Sequence, residues 1–142
     1  PVGSRPRAKS LMPDAKEKNL LVHRKGATRA FDGQPVIIGG SMETASYLLL
    51  GTKKAEELTF GSTSHGAGRT MSRTRAKKEI HGKNLQKELK EKGIYIKTAS
   101  FAGLAEEGGY AYKDIDEVIK AVSDAGISTP VAKFHPIGNV KG

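Results

Sequence analysis

The sequence predicts an α+β fold of mixed short strands and helices in a single domain. Its 142 residues match one ordinary domain. Short β-rich runs and amphipathic helical runs follow one another without the regular alternation of a doubly wound sheet. A composition of 37% hydrophobic and 27% charged residues is that of a chain with an ordinary core and surface.

Residues 1–18 mix Pro, Gly, Ser, Arg and Lys with little apolar periodicity and read as a flexible basic leader, the ordered chain starting near Asn19. Leu20-Leu21-Val22 is a short apolar run with the character of a buried strand, entering a polar, turn-like stretch from His23 to Arg29. Gly33-Gln34-Pro35 turns the chain into a second strand, Val36-Ile37-Ile38, which Gly39-Gly40 breaks. Thr44 to Leu50 reads as a strand, with a short helix as the alternative, and Gly51 ends it. Between Thr70 and Lys92 helix formers dominate with an interruption near Gly82, which predicts two helices. Leu85 and Leu89 share one face of the second, and Gly93 terminates it.

Isoleucines at period two in Ile94–Ala99 predict a strand. Asp114 is placed to cap a helix, with Glu117 three positions on in a capping-box pattern. Ile115, Val118, Ile119 and Val122 then form its apolar face and Gly126 closes it. Ile127 to Phe134 returns as a strand, and the last eight residues read as a tail.

The formal charge of +9 is concentrated. Residues 1–29 hold eight bases against two acids and residues 69–97 ten against three, while each remaining stretch is at −2. A localised positive field suits a polyanion, nucleic acid or nucleotide phosphate. Lys83, Lys87, Lys90 and Lys92 taken alone read as the solvated face of a helix. With no cysteine, a disulfide framework, a Cys-ligated metal and a cysteine nucleophile are excluded. No apolar run approaches the length of a membrane helix, and the first ten residues lack the apolar segment of a secretory signal, so neither a membrane partner nor secretion is expected.

The strongest chemical signal is Gly61-Ser62-Thr63-Ser64-His65-Gly66-Ala67-Gly68-Arg69, one imidazole among small and hydroxyl residues with an arginine behind it. Glycines let backbone approach a phosphate, hydroxyls add hydrogen bonds, and Arg69 offers a bidentate fork for an oxyanion. The Gly39-Gly40-Ser41-Met42 loop, followed by Thr44 and Ser46, is a second place to cradle a phosphate or a base edge. Neither the Walker A lysine nor the Gly-x-Gly-x-x-Gly spacing is present, which removes a P-loop ATPase and a Rossmann dehydrogenase. His23, His81 and His135 have no metal-site spacing.

These residues together resemble the carboxy-terminal part of RtcB-type RNA ligases. The resemblance is carried by His23 to Phe31, Gly33-Gln34-Pro35-Val36, Gly40-Ser41-Met42, Thr44-Ala45-Ser46-Tyr47, Gly61-Ser62-Thr63, His65 to Arg69 and Met71-Ser72-Arg73. Glu106-Glu107, Tyr112 to Val118 and Lys141-Gly142 complete it. It covers residues 19–142, about the last third of a full-length member, and so implies a segment of a larger fold.

The resemblance implies a ligase using GTP and Mn²⁺, which joins RNA 2′,3′-cyclic phosphate or 3′-phosphate ends to 5′-hydroxyl ends in tRNA splicing and RNA repair. His65 would be the guanylylated nucleophile. Gly39, Gly40, Ser41, Met42, Ser46, Gly66, Ala67, Gly68 and Lys141 would bind the nucleotide, and Arg24, Lys25, Arg29 and Arg69 would face phosphate or RNA. The manganese ligands would lie upstream, with none in this chain. TRNA halves, an activating protein and a cytoplasmic location follow from the same likeness. The chain departs from the family pattern at Gly39, where proline is usual, and at Glu43, where glycine is usual. The alternative is a non-catalytic basic fragment that binds RNA or nucleotide.

Overall fold

The computed structural model describes residues 20–141, together with the backbone of residues 7–8 and 18–19. Those two pairs form strands β1 (Arg7–Ala8) and β2 (Lys18–Asn19), joined antiparallel. The rest of the predicted leader lies outside the described residues.

Three β-rich runs make the central sheet. Strand β4 (Pro35–Ile38) pairs antiparallel with β5 (Ser46–Gly51), which pairs antiparallel with β8 (Ser128–Phe134). Val36 and Ile38 turn inward while Pro35 and Ile37 face out, the period-two alternation of a half-buried strand. Helix α5 (Ile115–Asp124) covers the inner face, and Ile38, Leu49, Ile115 and Ile119 close one apolar core. The Asp114 cap is present, but its carboxylate accepts the N–H of Asp116 rather than completing the box with Glu117.

The second core is helical. Helices α2 (Arg73–Glu79), α3 (Gly82–Glu91) and α4 (Phe101–Glu106) pack beside strand β7 (Tyr95–Thr98). Leu85, Leu89, Ile94, Ile96 and Leu104 fill the space between them. Gly82 marks a close approach, since a Cβ there would stand 2.1 Å from the Phe101 carbonyl oxygen. Met42 bridges the two halves by burying its side chain in this second core.

Three expectations need correction, and two helices were not predicted. Leu20–Val22 joins no ladder among the described residues, and Leu21 is 81% exposed, because a three-residue apolar run gains nothing without a strand to pair with. The turn-like stretch before Ala30 contains β3 (Ala27–Arg29), held antiparallel by β6 (Ser62–Ser64). The tail contains β9 (Gly138–Lys141), which adds in parallel to β7. Helices α1 (Lys53–Thr59) and α4 lay in stretches without a strong period, although Thr52 and Ser100 cap them through their hydroxyls. Among the described residues no helix is long and apolar enough to cross a membrane.

Candidate functional site

The two glycine loops dock onto each other through backbone. At the end of β4, the Gly39 N–H donates to the His65 carbonyl at 3.4 Å, and the Ala67 N–H donates to the Gly39 carbonyl at 2.8 Å. Gly39 and Gly66 thus form an isolated parallel bridge. The Ser64 hydroxyl donates to the Gly66 carbonyl at 2.7 Å and tightens the bend. His65 is gripped by its main chain, and its imidazole is exposed. The basic loop passes beside the ring, where a Cβ on Gly26 would come to 3.9 Å from His65 Cδ2.

The Gly39–Met42 loop is held by its own hydroxyls. Gly40 N–H donates to Ser46 Oγ at 3.4 Å, Ser41 N–H to Thr44 Oγ1 at 2.7 Å, and Glu43 N–H to Ser41 Oγ at 3.3 Å. These N–H groups are therefore spent inside the protein instead of pointing outward at a phosphate. Gly40 has no room for a side chain, because a Cβ would lie 2.1 Å from the Ala45 carbonyl oxygen. Gly39 is different, with no atom of the described residues within 4 Å of the same position, as is Gly68. Met42 is 5% exposed, and its carbonyl accepts from Asn139 Nδ2 at 3.0 Å, which pins β9 beside the loop.

Arg69 does not serve as a free fork for an oxyanion. Its Nε donates to the Met71 carbonyl at 2.9 Å, one terminal nitrogen to the Tyr112 hydroxyl at 3.1 Å, and the other to the Glu106 carbonyl at 2.7 Å. The guanidinium also lies over the Tyr112 ring at 4.9 Å from its centroid. Tyr112 in turn donates its hydroxyl to Glu107, whose carboxylate lies 3.8 Å from both Arg69 and Arg73 and 3.6 Å from Lys141 Nζ. Burial works to raise the Glu107 carboxyl, but the Tyr112 hydroxyl and the charges of Lys141, Arg69 and Arg73 outweigh it and hold the group below the usual carboxylate range. Burial and the Glu107 bond push the Tyr112 phenol up.

Arg24 braces β6 by donating to Ser62 Oγ at 2.8 Å and to the Phe60 carbonyl at 2.9 Å. Arg29 is exposed, donates to Gln34 Oε1 at 3.1 Å and lies over Phe31, and Lys25 is exposed at the bend before β3. The structure thus gathers His65, Gly26, Gly39 and Gly66 at one place, with Ser46 beneath through Gly40. Lys141 is placed with Glu107 in the Arg69 cluster instead. The residue pattern gives Glu107, Tyr112 and Asn139 no role, and the cations at Arg69 and Arg73 are the one sequence hint that an acid pairs with this stretch.

The class to which this arrangement belongs comes from comparison with known proteins. A family described as "tRNA-splicing ligase RtcB" matches residues 10–142. Proteins named tRNA-splicing ligase RtcB are similar to the chain at 52% identity in Methanopyrus kandleri, 49% in Pyrococcus horikoshii and 50% in Archaeoglobus fulgidus, each over 91% of this chain. The chain spans 15%, 16% and 30% of those relatives' lengths. It belongs to the RtcB family, as a segment of the larger fold.

Proposed function

We propose that this chain is the part of a GTP-dependent RNA ligase that carries the guanylyl acceptor, His65. What supports this best is the contrast at that residue, an exposed imidazole on a loop docked to Gly39 through the His65 carbonyl and the Ala67 N–H. A neutral ring nitrogen is a competent nucleophile near pH 7. Its attack on the α-phosphorus of GTP forms a P–N bond and expels pyrophosphate, leaving GMP on His65. An oxygen of the RNA 3′-phosphate then attacks that phosphorus, taking GMP and freeing the imidazole. The 5′-hydroxyl oxygen finally attacks the RNA 3′-phosphorus, its proton is lost, and GMP leaves as the phosphodiester forms. A 2′,3′-cyclic end enters after water opens it to the 3′-phosphate.

Positioning is what the chain contributes. The clamp fixes the His65 main chain, and open space at Gly39 and Gly68 admits a nucleotide to the ring. Lys141, held loosely by Glu107, has donors left for a guanylate. Manganese in this family's reaction would neutralise phosphate charge. Among the described residues no three His, Asp or Glu side chains converge on a metal position, so no step is derived through it. Processing of tRNA halves in the cytoplasm, with or without an activating protein, is the setting this reading gives.

The test uses α-labelled GTP and Mn²⁺ on this chain alone and on the chain exchanged for the matching segment of the Archaeoglobus fulgidus relative, each with and without His65→Ala. The expected result is acid-labile, base-stable label on the exchanged protein that vanishes with the substitution. Label that survives His65→Ala, or an exchanged protein that takes none, overturns the reading.

A further inference from the structure

Helix α3 is charged on both flanks, and the fold separates the signs. One flank, Lys83, Gln86, Lys87 and Lys90, faces strand β7 across a groove of about 390 Å³ with Ile94 and Ile96 in its floor and Tyr95 on its wall. No acid lines it. The other flank, Asn84 and Glu88, faces a separate hollow shared with Glu79. The sequence places these bases and acids turn by turn, and only the packing of Leu85 and Leu89 into the core rotates the lysines toward β7.

The cations in this groove are weakly committed. Lys87 is 81% exposed and stands 4.0 Å from Glu91, a solvent-screened pair of little strength. Lys83 lies 5.7 Å over the exposed Phe101 ring. Lys92, which belongs to the same run in sequence, is held elsewhere by Glu43 at 2.8 Å. Tyr95 is 69% exposed, and Lys97 projects from the same outer face of β7. Three cations at successive turns beside a bare aromatic ring match a flexible polyanion whose bases can stack. Single-stranded nucleic acid has that chemistry, whereas an acidic peptide offers the charge alone.

We propose that the α3–β7 groove is a docking track for the backbone of single-stranded RNA, with Lys83, Lys87 and Lys90 on phosphates and Tyr95 stacked on a base. The track is separate from His65 and the glycine loops. Its choice of RNA over other polyanions rests on the ligase reading. It holds a strand leading toward or away from the joined ends, and so contributes to substrate binding and not to bond making.

The experiment measures fluorescence anisotropy of a labelled mixed-sequence 20-nucleotide RNA with the whole chain over a salt series. Three proteins are compared with wild type: Lys83→Gln/Lys87→Gln/Lys90→Gln, Tyr95→Ala, and a charge-matched control, Lys53→Gln/Lys78→Gln/Lys120→Gln. The groove triple is expected to lose at least tenfold in affinity and to flatten the slope of log affinity against log salt by about 2, three single-strand phosphate contacts at about 0.7 each. Tyr95→Ala should cost about fivefold, the lower end of one lost stacking contact, and the control should stay within twofold. Wild type that does not bind, a control that falls as far as the groove triple, or a poly-glutamate competitor as effective as RNA would each overturn the proposal. GTP labelling of His65 in the exchanged protein, carrying the groove triple, separates the two readings: it should persist if the groove only docks RNA.

Discussion

His65 and Arg69 stand four residues apart in one glycine-rich motif, and the fold treats them in opposite ways. His65 accepts the Gly39 N–H at its carbonyl, on a loop that Ala67 also ties to Gly39, and keeps its ring in solvent. Arg69 is held by its side chain, every nitrogen engaged by Met71, Tyr112 and Glu106. A group gripped through its backbone is rigid and chemically available, whereas one gripped through its side chain is structural. Residues that look equally suited to a phosphate in sequence are thus divided into an exposed group and a brace.

The largest effect that would sharpen this contrast is expected on the backbone side. Gly40→Ala forces a Cβ onto the Ala45 carbonyl oxygen and should destabilise by about 3 kcal/mol, at the upper end of overpacking costs. Gly39→Ala meets open space and should change stability by less than about 0.5 kcal/mol. Urea unfolding of both variants checks the pair, and equal midpoints would mean that the loop is not the rigid clamp described.

On the side-chain side, Arg69→Ala removes charged hydrogen bonds from a part-buried site and should cost about 2 kcal/mol. Arg69→Lys should recover little of it, because an ammonium cannot span the Met71, Tyr112 and Glu106 acceptors at once. His65→Ala should leave the unfolding midpoint unchanged. A stable Arg69→Ala protein would erase the difference between the two residues.

The smallest effect concerns pH. Glu107 has its carboxyl held below the ordinary range, so its contribution is complete above the unfolded-state value and is lost as pH falls through the folded one. Wild type should therefore exceed Glu107→Gln by about 1 kcal/mol at pH 7, the size of one ordinary net hydrogen bond. That margin should close below about pH 4, the ordinary carboxylate region. Denaturation midpoints from pH 7 to pH 3 read this directly, and a margin that widens toward low pH would contradict the network.

Much of the fold was legible where a segment carries its own instructions. Ile115, Val118, Ile119 and Val122 at helical spacing behind Asp114 specify α5, and the Ile94/Ile96 period specifies β7. The errors share one cause. Ala27–Arg29 is a strand only because Ser62–Ser64 pairs with it, and Gly138–Lys141 only because β7 offers a free edge. Leu20–Val22 has the composition of a strand and no partner among the described residues. The candidate site divides in the same way: the motif around His65 is visible as residue types, while Glu107 gains its meaning from cations brought to it from three other elements.

By itself the sequence determined the helices with full apolar faces, the central strands, the placing of positive charge in two stretches and the family. Those properties are local, set by side-chain periodicity, capping and residue identity within a few turns of chain. Only the tertiary structure decided that the Arg69 side chain braces while the His65 ring stays exposed, that Asn139 ties the last strand to Met42 across 97 residues, and that three lysines of α3 line one groove with Tyr95. Such choices are made by packing, because burying Leu85 and Leu89 fixes the rotation of the helix and with it the direction of every charge the helix carries.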